Sequence, residues 1–169
     1  ILAACSRAEQ PPATSQAETP NEAAWAVTVQ PVDVPATGES AQPNLTVSPK
    51  GVILSWLEHR DAKATFKFAE RAGDGWSSPR TVDSSDNWFI SGADVPTVMR
   101  LSDGTLVATS YPAVDPLIEA YDLRLSYSRD DGKTWSRPFA PHHDRTKTQH
   151  GFATLFELPG RGLGLVWLD

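Results

Sequence analysis

Residues 126–138, SYSRDDGKTWSRP, carry the clearest structural signal of the chain. The stretch fits a tight β-hairpin, because an aspartate side chain can accept hydrogen bonds from turn amides and a glycine can adopt a positive φ. A tryptophan after the turn can pack the hairpin onto the sheet beneath it. The residues that form this pattern are Ser128, Asp130, Gly132, Thr134 and Trp135. A weaker copy, FAERAGDGWSSP at residues 68–79, keeps Gly73, Gly75 and Trp76.

These hairpins belong to a larger repeat. The segments SPKGVILSWLE (48–58), LSDGTLVATSYP (101–112) and LPGRGLGLVWLD (158–169) each place a glycine turn before an apolar strand. Their glycines are 53 residues apart (51 to 104) and 58 residues apart (104 to 162), a spacing typical of propeller blades.

Further strands complete each unit. A strand is predicted before each glycine turn, at residues 44–47, 96–101 and 151–158, and an alternating strand follows the second one, at 64–71 and 122–128. A fourth strand is expected near 78–82 and 138–139. Since no helical pattern interrupts them, the sequence predicts an all-β protein built from four-stranded antiparallel blades.

The hairpin at residues 128–135 resembles the Asp-box, or BNR repeat, of sialidase-like β-propellers, and it matches that motif in full. The resemblance covers residues 24–169 and implies a β-propeller, six-bladed when complete, of which about two and a half blades are present here. In that family the boxes lie on the rim away from the site, so the resemblance implies a structural role for Ser128, Asp130, Gly132, Thr134 and Trp135. A closed ring needs more blades, so we expect the propeller to continue beyond Asp169.

The start of the chain has a different character. Leu2-Ala3-Ala4-Cys5 resembles the lipobox of bacterial lipoproteins, which implies that residues 1–5 end a signal peptide and that Cys5 is lipidated. Residues 6–23 are small or polar and predict a flexible linker. We therefore expect a lipid-anchored protein of the bacterial cell envelope, on the periplasmic side or in the outer membrane. The alternative is that LAAC occurs by chance and that Cys5 is an ordinary small apolar residue.

Composition excludes several classes of protein. The chain has 169 residues, 40% of them hydrophobic, which is enough for a domain with a core. A net charge of −6 leaves no basic surface for nucleic acid. The single cysteine excludes an internal disulfide, and no apolar run is long enough to span a membrane, so the lipid is the expected membrane contact. We expect a monomer.

The blade pattern assigns the polar loops to one end of the propeller. Residues 58–61, 83–94, 112–121 and 141–150 fall there, and with them all four histidines. Because acid–base catalysis needs titratable groups that converge in a concave site, the candidate catalytic residues are Asp94, Asp144 and His150. The candidate substrate-binding residues are Trp88, His59, Arg60 and His143.

Structural alternatives stay open for these residues. Trp88 could stack on a sugar ring or lie buried within a blade. Segments that cross from one blade to the next are polar in any case, and a histidine in such a segment need not have a function. The histidines at positions 142, 143 and 150 match no compact metal-ligand spacing, so neither a metal nor a cofactor is predicted.

The resemblance implies an activity on glycans as well as a fold. Sialidases bind the substrate carboxylate through arginines, the first of them in a Phe-Arg-Ile-Pro motif, whereas Ala93-Asp94-Val95-Pro96 has Asp94 at the arginine position. A carboxylate there would repel a sialic acid. Two functions therefore stay open: a sialidase-type exo-glycosidase, or a non-catalytic propeller lipoprotein that binds a glycan or a protein.

Overall fold

The computed structural model describes residues 27–160 and 162–169, so Cys5 and the linker predicted at residues 6–23 lie outside the described part. Residues 27–32 form no strand, and Asp33–Asp169 form a separate unit of antiparallel sheets. Within the described residues the regular structure is all β, apart from a 3-10 turn at Pro116–Ile118. The all-β prediction is confirmed. No helix of the described part is long and apolar enough to cross a membrane.

The first sheet is an antiparallel meander. Its strands are β1 (Glu39–Ser48), β2 (Gly51–Arg60), β3 (Lys63–Ala72), β4 (Gly75–Trp76) and β5 (Arg80–Ser85). Strand β2 pairs with β1 and β3, and both β4 and β5 pair with β3. The turn from β1 to β2 requires Gly51, because its φ is +147° and a Cβ there would collide with the Arg71 carbonyl.

The later strands form three smaller sheets. They are β6 (Val98–Arg100), β7 (Leu106–Ser110), β8 (Ala113–Asp115), β9 (Ala120–Tyr121), β10 (Arg124–Ser128), β11 (Gly151–Leu158) and β12 (Gly162–Leu168). Strand β7 lies between β6 and β10, β8 pairs with β9, and β11 pairs with β12. Phe139 forms an isolated bridge with Leu125, at the position predicted for a fourth strand.

Most predicted strands exist, with shifted bounds. Strand β11 has the predicted bounds, and β1 extends well beyond residues 44–47. Strand β6 is shorter than residues 96–101, because Leu101 already pairs with Thr105 in the following turn. The β8–β9 hairpin and its 3-10 turn were not predicted, because strands of two or three residues carry no periodic pattern.

The sheets pack face to face. On one face of β7, Leu106 and Ala108 join a buried cluster with residues of the first sheet, including Phe66 and Phe68. On the other face, Val107 joins a second cluster, to which the β11–β12 sheet contributes Leu155, Leu163 and Leu165. Alternation along β7 thus lets one strand serve two interfaces.

The first strands of two sheets also lie side by side. The Asn44 amide donates to Thr97 Oγ1 at 2.7 Å, and the Thr46 hydroxyl donates to the Val98 carbonyl at 2.6 Å. These bonds connect β1 to the segment that leads into β6 and to β6 itself. The polar side chains of β1 therefore align the two sheets.

The hairpin at residues 128–135 is closed by its own side chains. Asp130 accepts from the Ser128 hydroxyl at 2.8 Å, and from the Thr134 amide at 2.9 Å and hydroxyl at 2.6 Å. The Gly132 amide donates to Ser128 Oγ at 2.8 Å. Trp135 packs edge-on against Phe68, with ring centroids 6.1 Å apart. The hairpin thus attaches the second sheet to the first.

Gly132 and Gly73 make a matched test of this attachment. Both have a positive φ, +80° and +62°, but a Cβ on Gly132 would lie 2.5 Å from a ring carbon of Phe68, whereas a Cβ on Gly73 would meet no atom within 4 Å. We expect Gly73→Ala to cost about 1–2 kcal/mol for the backbone conformation. Gly132→Ala should cost about 1–3 kcal/mol more, because of overpacking. Urea unfolding of the intact protein measures both, and equal losses would show that the Phe68 contact does not constrain the hairpin.

The hydrogen bonds that the Asp130 carboxylate accepts lead us to expect that the folded protein is less stable in acid. The Thr134 hydroxyl, the Thr134 amide and the Ser128 hydroxyl hold the pKa of Asp130 well below its usual range. A lowered folded pKa contributes stability above the unfolded pKa of about 3.9, and this contribution disappears as the pH falls through the folded pKa. Wild-type protein should therefore be more stable than Asp130→Asn at neutral pH, and the difference should shrink below about pH 4. A difference in unfolding free energy that is constant with pH contradicts this.

Candidate functional site

Polar connections collect at one end of the sheets. Strands β2, β5 and β7 end there, and β10 and β11 begin there, because neighbouring strands are antiparallel. We use the name end surface for residues 58–63, 83–94, 112–123 and 141–150 together with Asp169. Backbone bridges join its segments, from Trp88 to Pro112 and from Tyr121 to Gln149. The hairpin at residues 128–135 follows the far end of β10, so it lies opposite this surface.

Two histidines of the end surface stack on each other. The rings of His142 and His150 are 4.1 Å apart and 14° from parallel. His142 Nδ1 lies 2.7 Å from Asp144 Oδ1, and His142 Nε2 lies 2.6 Å from Asp122 Oδ1. Asp122 in turn pairs with Arg124. His142 is thus held between carboxylates that come from two separate segments of the chain.

His150 is more deeply buried, with a side chain 2% exposed. Its Nδ1 lies 3.3 Å from the Tyr121 carbonyl oxygen, to which the His150 amide also donates at 3.1 Å. Its Nε2 faces two carboxylates, at 3.2 Å from Asp144 Oδ2 and 3.5 Å from Asp169 Oδ1. The ring therefore connects the β9 backbone to a partly exposed acidic pair.

The contact between Asp144 and His150 lowers the pKa of the carboxyl group and raises that of the imidazole. The Thr146 hydroxyl, which donates at 2.6 Å, and the hydrogen bond from His150 hold the pKa of Asp144 well below its usual range. Burial acts to lower the pKa of His150, but the hydrogen bonds to Asp144 and the Tyr121 carbonyl outweigh it and leave that pKa raised. An ionised carboxylate therefore faces an imidazole that favours a positive charge.

Asp94 occupies a different environment. It is 3% exposed, and its carboxylate accepts from the Tyr121 hydroxyl at 2.7 Å, the Ser91 hydroxyl at 3.1 Å and the Phe152 amide at 2.7 Å. Burial and the bond to Asp94 raise the pKa of the Tyr121 hydroxyl, so it stays protonated as a donor. These contacts describe a carboxylate that joins three segments; its predicted catalytic role stays a prediction.

The close approach around Asp94 explains Gly151. A Cβ at this position would lie 2.3 Å from Asp94 Oδ1 and 2.3 Å from the Tyr121 hydroxyl oxygen. A side chain there would separate the carboxylate from its donors. The glycine at the start of β11 is therefore required by the packing of the end surface.

The candidate substrate-binding residues do not form one group. Trp88 is half-buried and packs edge-on against Phe66 at 6.4 Å, within the interface between sheets. His59 and Arg60 end β2, and Arg60 lines a depression of about 600 Å³ that also contains Asp86. His143 is exposed. No comparison tests their binding roles, which stay predictions.

Several residues of the histidine cluster were not among the predicted site residues. They are Tyr121 in β9, Asp122 directly after β9, His142 in the 141–150 segment and Asp169 directly after β12. Their types carried a signal, since His142 adjoins His143. Their positions carried no signal, because no motif in the sequence links residue 122 to residue 142, or residue 150 to residue 169.

The comparisons with known proteins support the fold without naming a function. No protein-family model and no curated protein matches the chain. A solved structure described as an unknown-function protein from Dyadobacter fermentans DSM 18053 is similar to it, with a TM-score of 0.51 and 18% sequence identity. The match covers 73% of this chain and 45% of that one, so the chain spans less than half the length of its structural relative. At this identity the likeness concerns the fold alone.

The Asp94–Tyr121 contact predicts a structural effect of substitution. Tyr121→Phe removes one hydrogen bond to a buried carboxylate and should lower the unfolding free energy by about 1.5–3 kcal/mol. Asp94→Asn should cost at least as much, since an amide nitrogen would face a donor. The double variant should cost less than the sum, because the two side chains share one bond.

Urea unfolding of the intact protein provides the measurement. Asp86→Asn, an exposed carboxylate of the same surface, is the control and should change stability by no more than about 0.5 kcal/mol. An Asp94→Asn protein as stable as the wild type would show that the carboxylate is not required for packing.

Proposed function

We propose that this chain is part of a sialidase-like, Asp-box β-propeller protein that acts on glycans. The observation that carries the proposal is the hairpin at residues 128–135, whose motif side chains form a closed hydrogen-bonded turn. The order of the strands is further support. In the first sheet, β1, β2 and β3 are followed by a fourth antiparallel position that β4 and β5 share. The β6–β7–β10 sheet has the same order, with the Phe139 bridge to β10 in the fourth position.

The packing of the sheets is compatible with blades around an axis. The first sheet packs on the β6–β7–β10 sheet, which packs in turn on the β11–β12 sheet, and first strands β1 and β6 adjoin. A cavity of about 420 Å³ lies between β1, the segment before β6, and β11, and it is lined by residues such as Asn44, Thr97 and Thr154. In a propeller, this is the side on which the inner strands face the central channel.

The proposed activity is that of an exo-glycosidase of the sialidase type, with the end surface as the site. The surface joins an exposed carboxylate, Asp144, to two imidazoles, and it contains a depression beside Arg60 that could accept a sugar. The carboxylates that this surface exposes, Asp144 and Asp169, favour a neutral or cationic glycan over a sialic acid. The proposed location is the bacterial cell envelope, with a lipid on Cys5.

A specific observation favours a second function, glycan binding without catalysis. Two of the three candidate catalytic side chains, Asp94 and His150, are buried, and both are hydrogen-bonded to neighbouring segments. Groups so placed can shape a binding surface without contacting a glycosidic bond. Binding and hydrolysis are distinguishable by experiment.

The test uses the intact protein with a panel of fluorogenic glycosides that includes an α-sialoside, followed by a glycan array. A hydrolase should cleave at least one glycoside, and Asp144→Asn should lower kcat/KM by about 100-fold or more. Asp74→Asn, on an exposed hairpin of the first sheet, is the matched control and should leave kcat/KM unchanged.

The other outcomes are equally informative. Glycan binding without turnover, weakened by Asp144→Asn and not by Asp74→Asn, supports the non-catalytic function. Neither turnover nor glycan binding would contradict both candidates.

A further inference from the structure

The ring of His150 is oriented by the backbone behind it. A carbonyl oxygen only accepts hydrogen bonds, so the Tyr121 carbonyl, 3.3 Å from His150 Nδ1, favours the tautomer with the proton on Nδ1. In the neutral ring with this tautomer, Nε2 carries a lone pair that points toward Asp144 and Asp169. A histidine that donates one ring N–H to a backbone carbonyl and presents the other nitrogen is the usual arrangement of a metal-ligating imidazole.

The Nε2 atom faces two carboxylate oxygens, and a lone pair cannot face two anions without a positive charge between them. That charge can be a proton or a metal ion. The distances from Nε2 are 3.2 Å to Asp144 Oδ2 and 3.5 Å to Asp169 Oδ1, longer than the usual hydrogen bond to a carboxylate. Two ligands of a tetrahedral ion with bonds of 2.0–2.1 Å are about 3.3–3.4 Å apart. The two distances from His150 Nε2 therefore fit the separation of ligands on one ion.

The ligand atoms of all three residues are mutually close. The atoms that Asp144, His150 and Asp169 offer lie within 4.8 Å of one another. Among the described residues, the ion-pair partners of Asp144 and Asp169 are histidines. No lysine or arginine of that part is therefore paired with these two carboxylates.

Neighbouring side chains hold the two carboxylates in place. The Thr146 hydroxyl donates to Asp144 Oδ2 at 2.6 Å, and the Thr148 hydroxyl donates to Asp169 Oδ1 at 3.3 Å. His142 stacks on His150 and binds the other oxygen of Asp144 at 2.7 Å. Ordered outer partners of this kind fix the orientation of metal ligands.

We propose that His150 Nε2, Asp144 and Asp169 bind one divalent transition-metal ion of the zinc class, with a fourth coordination position open to solvent. The imidazole favours zinc over magnesium or calcium, and three protein ligands with one open position are typical of a site where a water or substrate oxygen binds. A depression of about 340 Å³ lies on the Asp169 side of the proposed site and is lined by Asp169, Thr148 and Phe152. The side chains of Asp144 and Asp169 are 31% and 49% exposed, whereas that of His150 is 2% exposed.

A second triad, Asp122, His142 and His150, is less suitable for a metal. His142 Nε2 is only 2.6 Å from Asp122 Oδ1, which is a hydrogen-bond length and too short for two ligands of one ion. His142 and Asp122 are therefore supporting partners of the proposed site. The spacing of the histidines along the chain predicted no metal. The proposed site does not show in that spacing, because Asp169 and the Tyr121 carbonyl come close to His150 only in the folded protein.

The binding test uses the intact protein without a histidine tag, stripped with a chelator and then titrated with Zn²⁺ by calorimetry. We expect one Zn²⁺ per chain to bind at this site, and Co²⁺ in its place should give the visible absorption bands of a four-coordinate ion. Asp169→Ala removes an exposed ligand and should weaken Zn²⁺ binding by at least about 10–100-fold. His150→Gln should weaken it similarly.

His143→Gln is the matched control, because His143 is exposed and lies in the same segment. It should leave Zn²⁺ affinity unchanged. Since a ligand that binds the folded state raises its stability, Zn²⁺ should raise the melting temperature of the wild type and His143→Gln and not that of Asp169→Ala. This readout keeps the test valid if His150→Gln fails to fold.

The proposal is overturned if the stripped protein binds no Zn²⁺ at a saturable site, which would leave a proton as the charge at Nε2. It is also overturned if Asp169→Ala binds Zn²⁺ as the wild type does, or if His143→Gln weakens binding as much. Metal binding is measured without a glycan, so its failure is distinguishable from failure of the proposed glycan activity. If both hold, the metal would supply Lewis-acid chemistry at the end surface.

Discussion

The aromatic packing of β3 against the β6–β7–β10 sheet joins the two largest sheets of the protein. Phe66 and Phe68 are 0% and 1% exposed, and both lie in the cluster that also contains Leu106 and Ala108 of β7. Burying a phenylalanine contributes about 1.5–3 kcal/mol. Trp135 closes the cluster from the hairpin at residues 128–135. One aromatic interface thus stabilises both the contact between sheets and the conformation of the hairpin beside it.

A buried arginine reinforces that interface. Arg100, 4% exposed, donates to Glu70 from Nε at 3.2 Å and from Nη2 at 2.8 Å, and its Nη1 lies 2.8 Å from Asp131 Oδ1. Lys50 and Arg100 both hold the pKa of Asp131 below its usual range. A bidentate guanidinium needs fixed partners, so this group sets the register of β3, β6 and the hairpin relative to one another. Breaking it would leave a charge buried without compensation.

The end surface is organised by a separate set of contacts around Tyr121 of β9. Strand β9 positions the Tyr121 hydroxyl on Asp94 and the Tyr121 carbonyl on His150, so one residue supports both the structural carboxylate and the histidine cluster. The stacking of Tyr121 on Phe89, with centroids 4.0 Å apart, fixes its ring. Because Gly151 has no side chain, β11 can begin in contact with the Asp94 carboxylate and the Tyr121 hydroxyl. The geometry that suits a metal ion is therefore a consequence of how β9, β11 and β12 meet.

The local features of this protein could be predicted from its sequence. The alternation in β3 and β10, the glycine turns and the hairpin at residues 128–135 were predictable, because each depends on residues within a few positions of one another. The placement of polar loops at one end followed from counting antiparallel strands. Asp144 and His150 are six residues apart in one segment, so their proximity is local, and their predicted catalytic role stays a prediction.

The surroundings of these residues are set by long-range contacts that form only when the sheets pack. The tertiary structure buried Asp94 beneath Tyr121 and Ser91, and it brought Asp169 to His150. It also formed the β8–β9 hairpin, which is too short to show a periodic pattern. The physical reason is the same in each case: such contacts join residues distant in sequence, and their geometry depends on how whole sheets pack, which no local spacing of residue types records.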